Sequence, residues 1–445
     1  MEWYWALAVL LSSILFLMAI GTPVGVAFIA VNTIASIFYF GGSGDFLDRV
    51  QLGISIMNGN SYESMTIFAL VPIPMFLLMG ELFFHTGLAN RMFNSVEKLM
   101  GKVPARLSYV TVAGGTAFAT LSGSSMGSTA LLGTLMVPEM TKRGYKKSMS
   151  IGPILGTGGL AMLIPPSALA VLLGTLANLD IGKLLVAGVL PGIILATMYA
   201  VLIYVRAKID PDAAPAYDIA YVPWGERLVL LARDVLPMVS VVIAVICLIM
   251  FGVSTPSEAA AFGSVGVIIL AMAYRCLGWK ATWTSLIGTA RVTVMALLII
   301  YGSSTFSQIL AYSGASKGLI GWVTSFDVSA LVMLIFMFMI LLVLGMFMDQ
   351  LSMMLLTVPI FFPIAKELNF DLIWFGVITL LALEISFTTP PFGLLLFVMQ
   401  GVAPPGTKFS EICMAAIPFM LCAMALVVLM IIFPGIATWL PSLSN

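Results

Sequence analysis

Charge is what this chain has least of. Only 9% of its 445 residues are Asp, Glu, Lys or Arg, while 61% are hydrophobic. A water-soluble domain carries about 25% charged residues, so a soluble globular class is excluded. The formal net charge is zero and no basic run occurs, which removes nucleic acid as a partner. His85 is the single histidine, so a Ser-His-Asp triad or a histidine metal cluster has almost nothing to be built from. The four cysteines, Cys247, Cys276, Cys413 and Cys422, lie in or beside hydrophobic runs without ligand spacing. Neither a disulfide framework nor a thiolate metal site is expected. There is no Gly-x-x-x-x-Gly-Lys-Ser/Thr loop and hence no ATP site of that kind. The alternating ten-residue segments of a membrane β-barrel are lacking too.

What is present is long apolar sequence. Hydrophobic runs of about 20 residues, enough to cross a bilayer as a helix, recur throughout. Candidate spans are 3–20, 22–40, 64–88, 148–178 and 184–206, then 234–253, 256–274, 287–312, 372–401 and 412–440. The first lacks a positive leader and a small-residue cleavage site, so it reads as a membrane helix. The 30 methionines are scattered and read as lipid-facing and core filler. The class is an all-α polytopic membrane protein with about ten transmembrane helices.

Polar interruptions break this pattern twice, at one spacing. Phe118 to Thr129 is small and Gly/Ser-rich, and Gly158-Gly159 with Pro165-Pro166 follows it. Asp349 lies 225 residues after Ser124, Pro363 lies 225 after Pro138, and Pro390-Pro391 lies 225 after Pro165-Pro166. Three landmarks in one register predict a duplicated unit: a first repeat over 1–206, a linker over 207–227 and a second repeat over 228–445. Segment 107–141 is shorter than the roughly 40 residues plus a turn that two crossings need, so it reads as a re-entrant hairpin. Its partner in the register is a second hairpin over 328–366. Segments 148–178 and 372–401 read as broken helices.

Basic residues test this topology. Arg91, Lys98, Lys102 and Arg106 precede the first hairpin, and Lys142, Arg143, Lys146 and Lys147 follow it, so both ends are assigned to the cytoplasm. Counting crossings outward puts Arg206, Lys208, Arg227, Arg233, Arg275, Lys280, Arg291 and Lys408 on that side as well. Only Arg49, Lys183, Lys317 and Lys366 of the 20 basic residues fall outside. Both termini then come out periplasmic. Five crossings and a hairpin per half turn the second copy upside down, the inverted-topology repeat of secondary transporters. Two amphipathic segments, 91–104 and 315–326, precede the hairpins and are expected to lie in the interface as arms.

Unpaired backbone groups are costly in lipid, so a Gly/Ser-rich tip at membrane depth points to an occupant. Broken helices offer N–H groups to anions and carbonyls to cations. The first site would combine Ser122, Ser124 and Ser125 with Gly158, Gly159 and the carbonyls freed before Pro165-Pro166. The second would combine Gly345, Met348 and Asp349 with Ser386, Thr388, Thr389 and the carbonyls before Pro390-Pro391. Oxygen ligands of this kind suit Na⁺. Solute is expected at the same breaks, against Ser124, Ser125, Pro165, Pro166, Ser167, Thr389, Pro390 and Pro391. Gly, Ser and Thr also let helices pack closely, the reading preferred for Thr116 and Thr129. Among acids, Asp349 at the second tip is the first functional candidate and Glu384 the second. Glu81 and Glu139 are read as partners of nearby Lys or Arg, Glu258 as a helix cap.

Leu121-Ser-Gly-Ser-Ser125, Pro138 with Gly144-Tyr145, Gly158-Gly159 through Pro165-Pro166-Ser167, Gly188-Val-Leu-Pro-Gly192, Thr255-Pro-Ser-Glu-Ala259 and Thr389-Pro-Pro-Phe-Gly393 together resemble the large membrane subunit of tripartite ATP-independent periplasmic (TRAP) transporters. The resemblance covers nearly the whole chain. It implies Na⁺-driven import of organic acids across the bacterial inner membrane, with solute delivered by a periplasmic substrate-binding protein. It also implies a small four-helix membrane subunit, expected here as a separate chain, and an elevator movement of the hairpin domain. Its ion sites map onto Ser122, Ser124, Ser125, Gly158, Gly159, Gly345, Met348, Asp349, Thr388 and Thr389. Two rivals remain beside it: a stand-alone proton- or Na⁺-coupled dicarboxylate transporter of the same broad fold, and an intramembrane enzyme.

Overall fold

Helices begin where the sequence supplies a cap. Thr255 and Glu258 close a capping box: the Glu258 N–H donates to Thr255 Oγ1 at 3.3 Å and the Thr255 N–H to Glu258 Oε2 at 2.8 Å. Asp180, Ser329 and Asp371 each accept a backbone N–H from the first turn of the helix they open. A computed structural model describes residues 2–40, 45–66, 68–100, 103–122, 125–215, 223–325, 328–346, 348–390 and 393–443. Every regular element among them is helical. Five helices are long and apolar enough to cross a membrane, or up to seven if each of two bent pairs is one span. Shorter apolar helices such as Val24–Phe40, Ala330–Leu344 and Leu372–Phe387 accompany them. The protein is an all-α, multi-pass membrane protein.

One element corrects the expected spans. Phe46–Met65 is a helix of 20 residues in a stretch absent from the candidate set. It contains Asp48, Arg49, Asn58, Asn60 and Glu63, so it fails any test for an apolar run. Tertiary contact holds it instead. It packs on Val24–Phe40 and Trp279–Tyr312, and Tyr301 donates a hydrogen bond to Asn58 Oδ1 at 3.0 Å. Gly53 lies so close to Ile37 that a Cβ there would stand 2.8 Å from its backbone. The expected span 64–88 accordingly starts its α-helix only at Pro72.

The element order hairpin, broken helix, long helix occurs twice. Hairpin one is Arg106–Ser122 with Ser125–Lys142, and hairpin two is Ala330–Leu344 with Gln350–Glu367. Broken helix one is Lys147–Leu163 with Ala168–Leu176, bent by 47°. Broken helix two is Leu372–Phe387 with Leu394–Val402. Ile181–Ile209 and Phe409–Ile432 follow them. Residues 149–163 and 374–387 are buried without a gap, so these two helices are the inner pillars. Glycine makes that closeness possible: a Cβ on Gly152 or Gly156 would come within 2.6 or 2.7 Å of the Phe419 ring.

Both ends of hairpin one meet the same side chain. Arg106 donates to Glu97 Oε1 at 2.7 Å and Arg143 donates to the same oxygen at 3.3 Å. A segment whose two ends share one carboxylate enters and leaves on one side. Glu97 belongs to Leu88–Met100, an amphipathic helix bent by 65° from Pro72–His85. The other end of this arm is fixed to the surrounding helices. Arg91 Nε donates to Asp234 Oδ1 at 2.5 Å, Ser95 Oγ to Asp234 Oδ2 at 3.0 Å, and the Arg91 guanidinium lies 4.3 Å from the Tyr274 ring centroid. The second arm, Ala315–Thr324, lies between Trp3–Ala19 and Gln350–Glu367 of hairpin two. Each arm thus touches a hairpin on one side and the outer helices on the other.

Candidate functional site

Hairpin one and broken helix one meet at Ser125. This residue opens the helix Ser125–Lys142 and is buried. Its hydroxyl lies 2.9 Å from the Gly158 carbonyl oxygen and 3.1 Å from Glu384 Oε2. Gly158 and Gly159 are buried in the same helix face, and their lack of side chains makes room for Glu384. A Cβ on Gly159 would stand 2.8 Å from Glu384 Cγ, and one on Gly158 would stand 3.2 Å from Glu384 Oε1. Pro165 and Pro166 occupy the break with Ser167, whose Oγ accepts the Ala170 N–H at 3.2 Å and so caps the second piece. Gly188 and Gly192 back this break from Ile181–Ile209: a Cβ on Gly188 would come within 2.0 Å of the Leu163 carbonyl oxygen. The sequence motif at 188–192 is a packing face for the break.

Hairpin two and broken helix two meet at Gly345 and Ser386. A Cβ on Gly345 would overlap Ser386 Oγ, at 2.0 Å. Met348 is buried. Asp349 caps Gln350–Glu367: its Oδ2 accepts the N–H groups of Leu351 and Ser352 at 3.1 and 3.3 Å, and its Oδ1 accepts the Ser352 hydroxyl. Thr388 and Thr389 donate their hydroxyls to the Ile385 carbonyl at 3.0 and 2.6 Å. The first piece of the helix ends at Phe387 with Thr388 as its C-cap, three residues before Pro390. Gly393 lies against the carbonyls of Phe387 and Thr389, where a Cβ would stand at 2.7 and 2.9 Å. Ser124 and Pro391 lie outside the described residues, and Ser122 ends Arg106–Ser122.

The two halves join at a carboxylate that sequence ranked second. Glu384 is 4% exposed. Its Oε2 accepts a hydrogen bond from Gln350 Nε2 at 2.9 Å, beside the Ser125 contact. Gln350 follows Asp349 at the second tip and was missed in the sequence. Nothing in its local pattern marks it, because its partner is 34 residues away. Glu384 Oε1 has no hydrogen-bond partner among the described residues. A small cavity beside it is lined by Gly159, Tyr199, Thr388 and Met420. Glu139 pairs with Arg143 and Glu258 caps its helix as expected, whereas Glu81 lies 3.1 Å from His85 and, among the described residues, not beside a Lys or Arg.

Two interrupted helices buried in a multi-pass helical bundle, brought together at Glu384, are the arrangement of a solute permease. No group of three or more His, Cys, Asp or Glu able to hold a metal occurs among the described residues. The chain belongs to the tripartite ATP-independent periplasmic transporter family, DctM component, whose family model matches residues 11–436. It is 30% identical over 383 residues to the C4-dicarboxylate TRAP transporter large permease protein DctM of Pseudomonas aeruginosa, covering 86% of this chain and 88% of that protein. It is 28% identical to the sialic acid TRAP transporter permease protein SiaT of Haemophilus influenzae, covering 96% of this chain and 67% of that one. The ectoine/5-hydroxyectoine TRAP transporter large permease protein UehC of Ruegeria pomeroyi is 26% identical, with 98% and 99% covered. At the level of fold, the YdaH transporter of Alcanivorax borkumensis superposes with a TM-score of 0.63 at 11% identity, over 94% of this chain and 98% of that one. MtrF of Neisseria gonorrhoeae superposes at 0.65 and 12%, over 92% and 94%. The chain is therefore a transporter subunit, not an enzyme. Membership of a tripartite system implies a substrate-binding protein and a smaller membrane subunit as partners.

Proposed function

We propose that this chain is the permease of a Na⁺-coupled importer of organic acids in the bacterial inner membrane. Solute reaches it from a periplasmic substrate-binding protein, and a small four-helix subunit completes the scaffold. The observation that carries this reading is the meeting on Glu384 of Ser125 beside the first hairpin tip, Gln350 after the second, and Gly158-Gly159 of broken helix one. Hard oxygen donors without a basic side chain among them favour a monovalent alkali cation over an anion. Na⁺ held at the first tip by Ser125 and the Gly158 carbonyl, and at the second by Gly345, Met348, Asp349, Thr388 and the Thr389 carbonyl, would in turn attract a carboxylate. Two relatives are named for C4-dicarboxylates and sialic acid, both of them carboxylates, which supports organic acids as the class here.

The arms support an elevator movement. Leu88–Met100 and Ala315–Thr324 each link one hairpin to the outer helices, so a rigid inner body can slide while the arms bend. In this reading the hairpins and broken helices form two inverted repeats, and both termini face the periplasm. Proteoliposomes holding the chain with its two partners test it. Uptake of the acid bound by the partner protein should require Na⁺ outside and cease when K⁺ replaces it. Uptake at an equal rate in K⁺ would remove the coupling.

A further inference from the structure

Glu384 touches more of the site than any coordination role alone requires. It rises from broken helix two, five residues before Thr389. Its Oε2 reaches Ser125 of hairpin one, 259 residues away, and Gln350 of hairpin two, 34 residues away. Its Cγ fills the space left by Gly159 of broken helix one. One side chain therefore contacts elements from both halves of the chain. None of the ion pairs among the described residues includes it. A buried polar atom without a partner is costly, about 1–3 kcal/mol, and Oε1 is such an atom.

We propose that Glu384 is a positioning residue that couples the two hairpin tips, so that Na⁺ at one tip raises the affinity of the other. The inference rests on the reading above that both tips bind Na⁺. Ser125 has one proton to donate, to the Gly158 carbonyl or to Glu384. A cation that takes the Gly158 carbonyl turns the Ser125 proton toward Glu384. Oε2 is then fixed in place from the Ser125 side, which sets where Gln350, the first helical residue after the second tip, must lie to reach it. The same chain of bonds works in reverse from Gln350 to Gly158. Coupling through a contiguous network of this sort is reciprocal and typically amounts to roughly 5- to 150-fold in affinity.

The test is the Na⁺ dependence of uptake in proteoliposomes holding all three components, with K⁺ keeping ionic strength constant. The wild type should activate with a Hill coefficient above one. Glu384→Ala should bring it to about one and weaken the second Na⁺ by roughly 5-fold or more, while saturating Na⁺ still supports transport. Gln350→Ala, which breaks only the hairpin-two contact, should do the same and serves if Glu384→Ala does not fold. Glu384→Gln keeps an acceptor for Ser125 and Gln350, so it should retain cooperativity with a higher half-saturating Na⁺. General damage to the fold lowers the maximum rate but leaves the Hill coefficient alone. Na⁺-dependent, cooperative uptake that stays cooperative in Gln350→Ala and in any Glu384→Ala that folds would overturn the coupling while sparing the Na⁺ site. A wild type with a Hill coefficient of one would overturn it as well. Na⁺-independent wild-type uptake would sink the underlying function along with it.

Discussion

Adding one methyl group to Gly345 tests how the second tip is held. The backbone of Gly345 is ordinary, with φ −70° and ψ −10°, so alanine adopts it without torsional strain. The effect is therefore steric alone. The new Cβ would stand 2.0 Å from Ser386 Oγ, 2.3 Å from Ser386 Cβ and 3.0 Å from Met353 Sδ. Ser386 cannot swing clear, because its own Cβ is among the clashing atoms and its hydroxyl is bonded to the Leu383 carbonyl at 2.7 Å. Hairpin two must move away from broken helix two by about 1 Å. Overpacking of this kind costs about 1–3 kcal/mol. If that strain falls on the ion site, half-saturating Na⁺ rises by roughly 5- to 150-fold, at 1.4 kcal/mol per tenfold. Gly401→Ala is the control: it lies in Leu394–Val402 with no atom within 4 Å of its Cβ position, and alanine there should gain up to about 1 kcal/mol. Thermal unfolding in detergent and Na⁺-dependent uptake should separate the two variants in opposite directions. The double variant Gly345→Ala with Ser386→Gly removes the clashing atoms and should recover most of the loss. A Gly345→Ala protein that matches Gly401→Ala in both assays would refute the packing argument.

Two further perturbations address the first acid candidate and the first arm. Asp349→Asn keeps a good N-cap, so stability should hold within a few tenths of a kcal/mol, while half-saturating Na⁺ rises if the charge serves the cation. An unchanged Na⁺ curve with unchanged stability would leave Asp349 as a cap and nothing more. Glu97→Gln weakens the bonds that gather Arg106 and Arg143, with an expected loss of about 1–2 kcal/mol after allowance for partial exposure. Hydrogen exchange should then rise over Leu88–Met100 and at both ends of hairpin one together. A rise at one end only would mean the arm does not clamp the hairpin.

Sequence read the breaks well because breaks are local. A Pro-Pro pair removes two consecutive N–H donors and so marks a break in the helix, and a spacing of 225 residues needs no structure to be seen; single prolines such as Pro138 and Pro363 stay inside their helices. Asp349 was legible in part. A charge at membrane depth suggests function, yet Asp349-Gln-Leu-Ser352 is also an N-cap signature, and its carboxylate does accept those N–H groups. Phe46–Met65 was not legible, because its stability comes from neighbours and not from apolarity. Glu384, named only second among the acids, shows why its missed partner Gln350 left no mark. Its importance lies in which of its atoms are already used, and that depends on partners from two other elements. The same accounting applies to the threonines. Thr388 and Thr389 spend their single protons on Ile385, so neither has a donor left for a carboxylate solute. Their oxygens keep lone pairs, which is the end a cation needs. If Na⁺ binds here as proposed, both threonines can meet it without giving up these bonds, whereas a carboxylate at this break would have to be held through the cation or through backbone N–H groups.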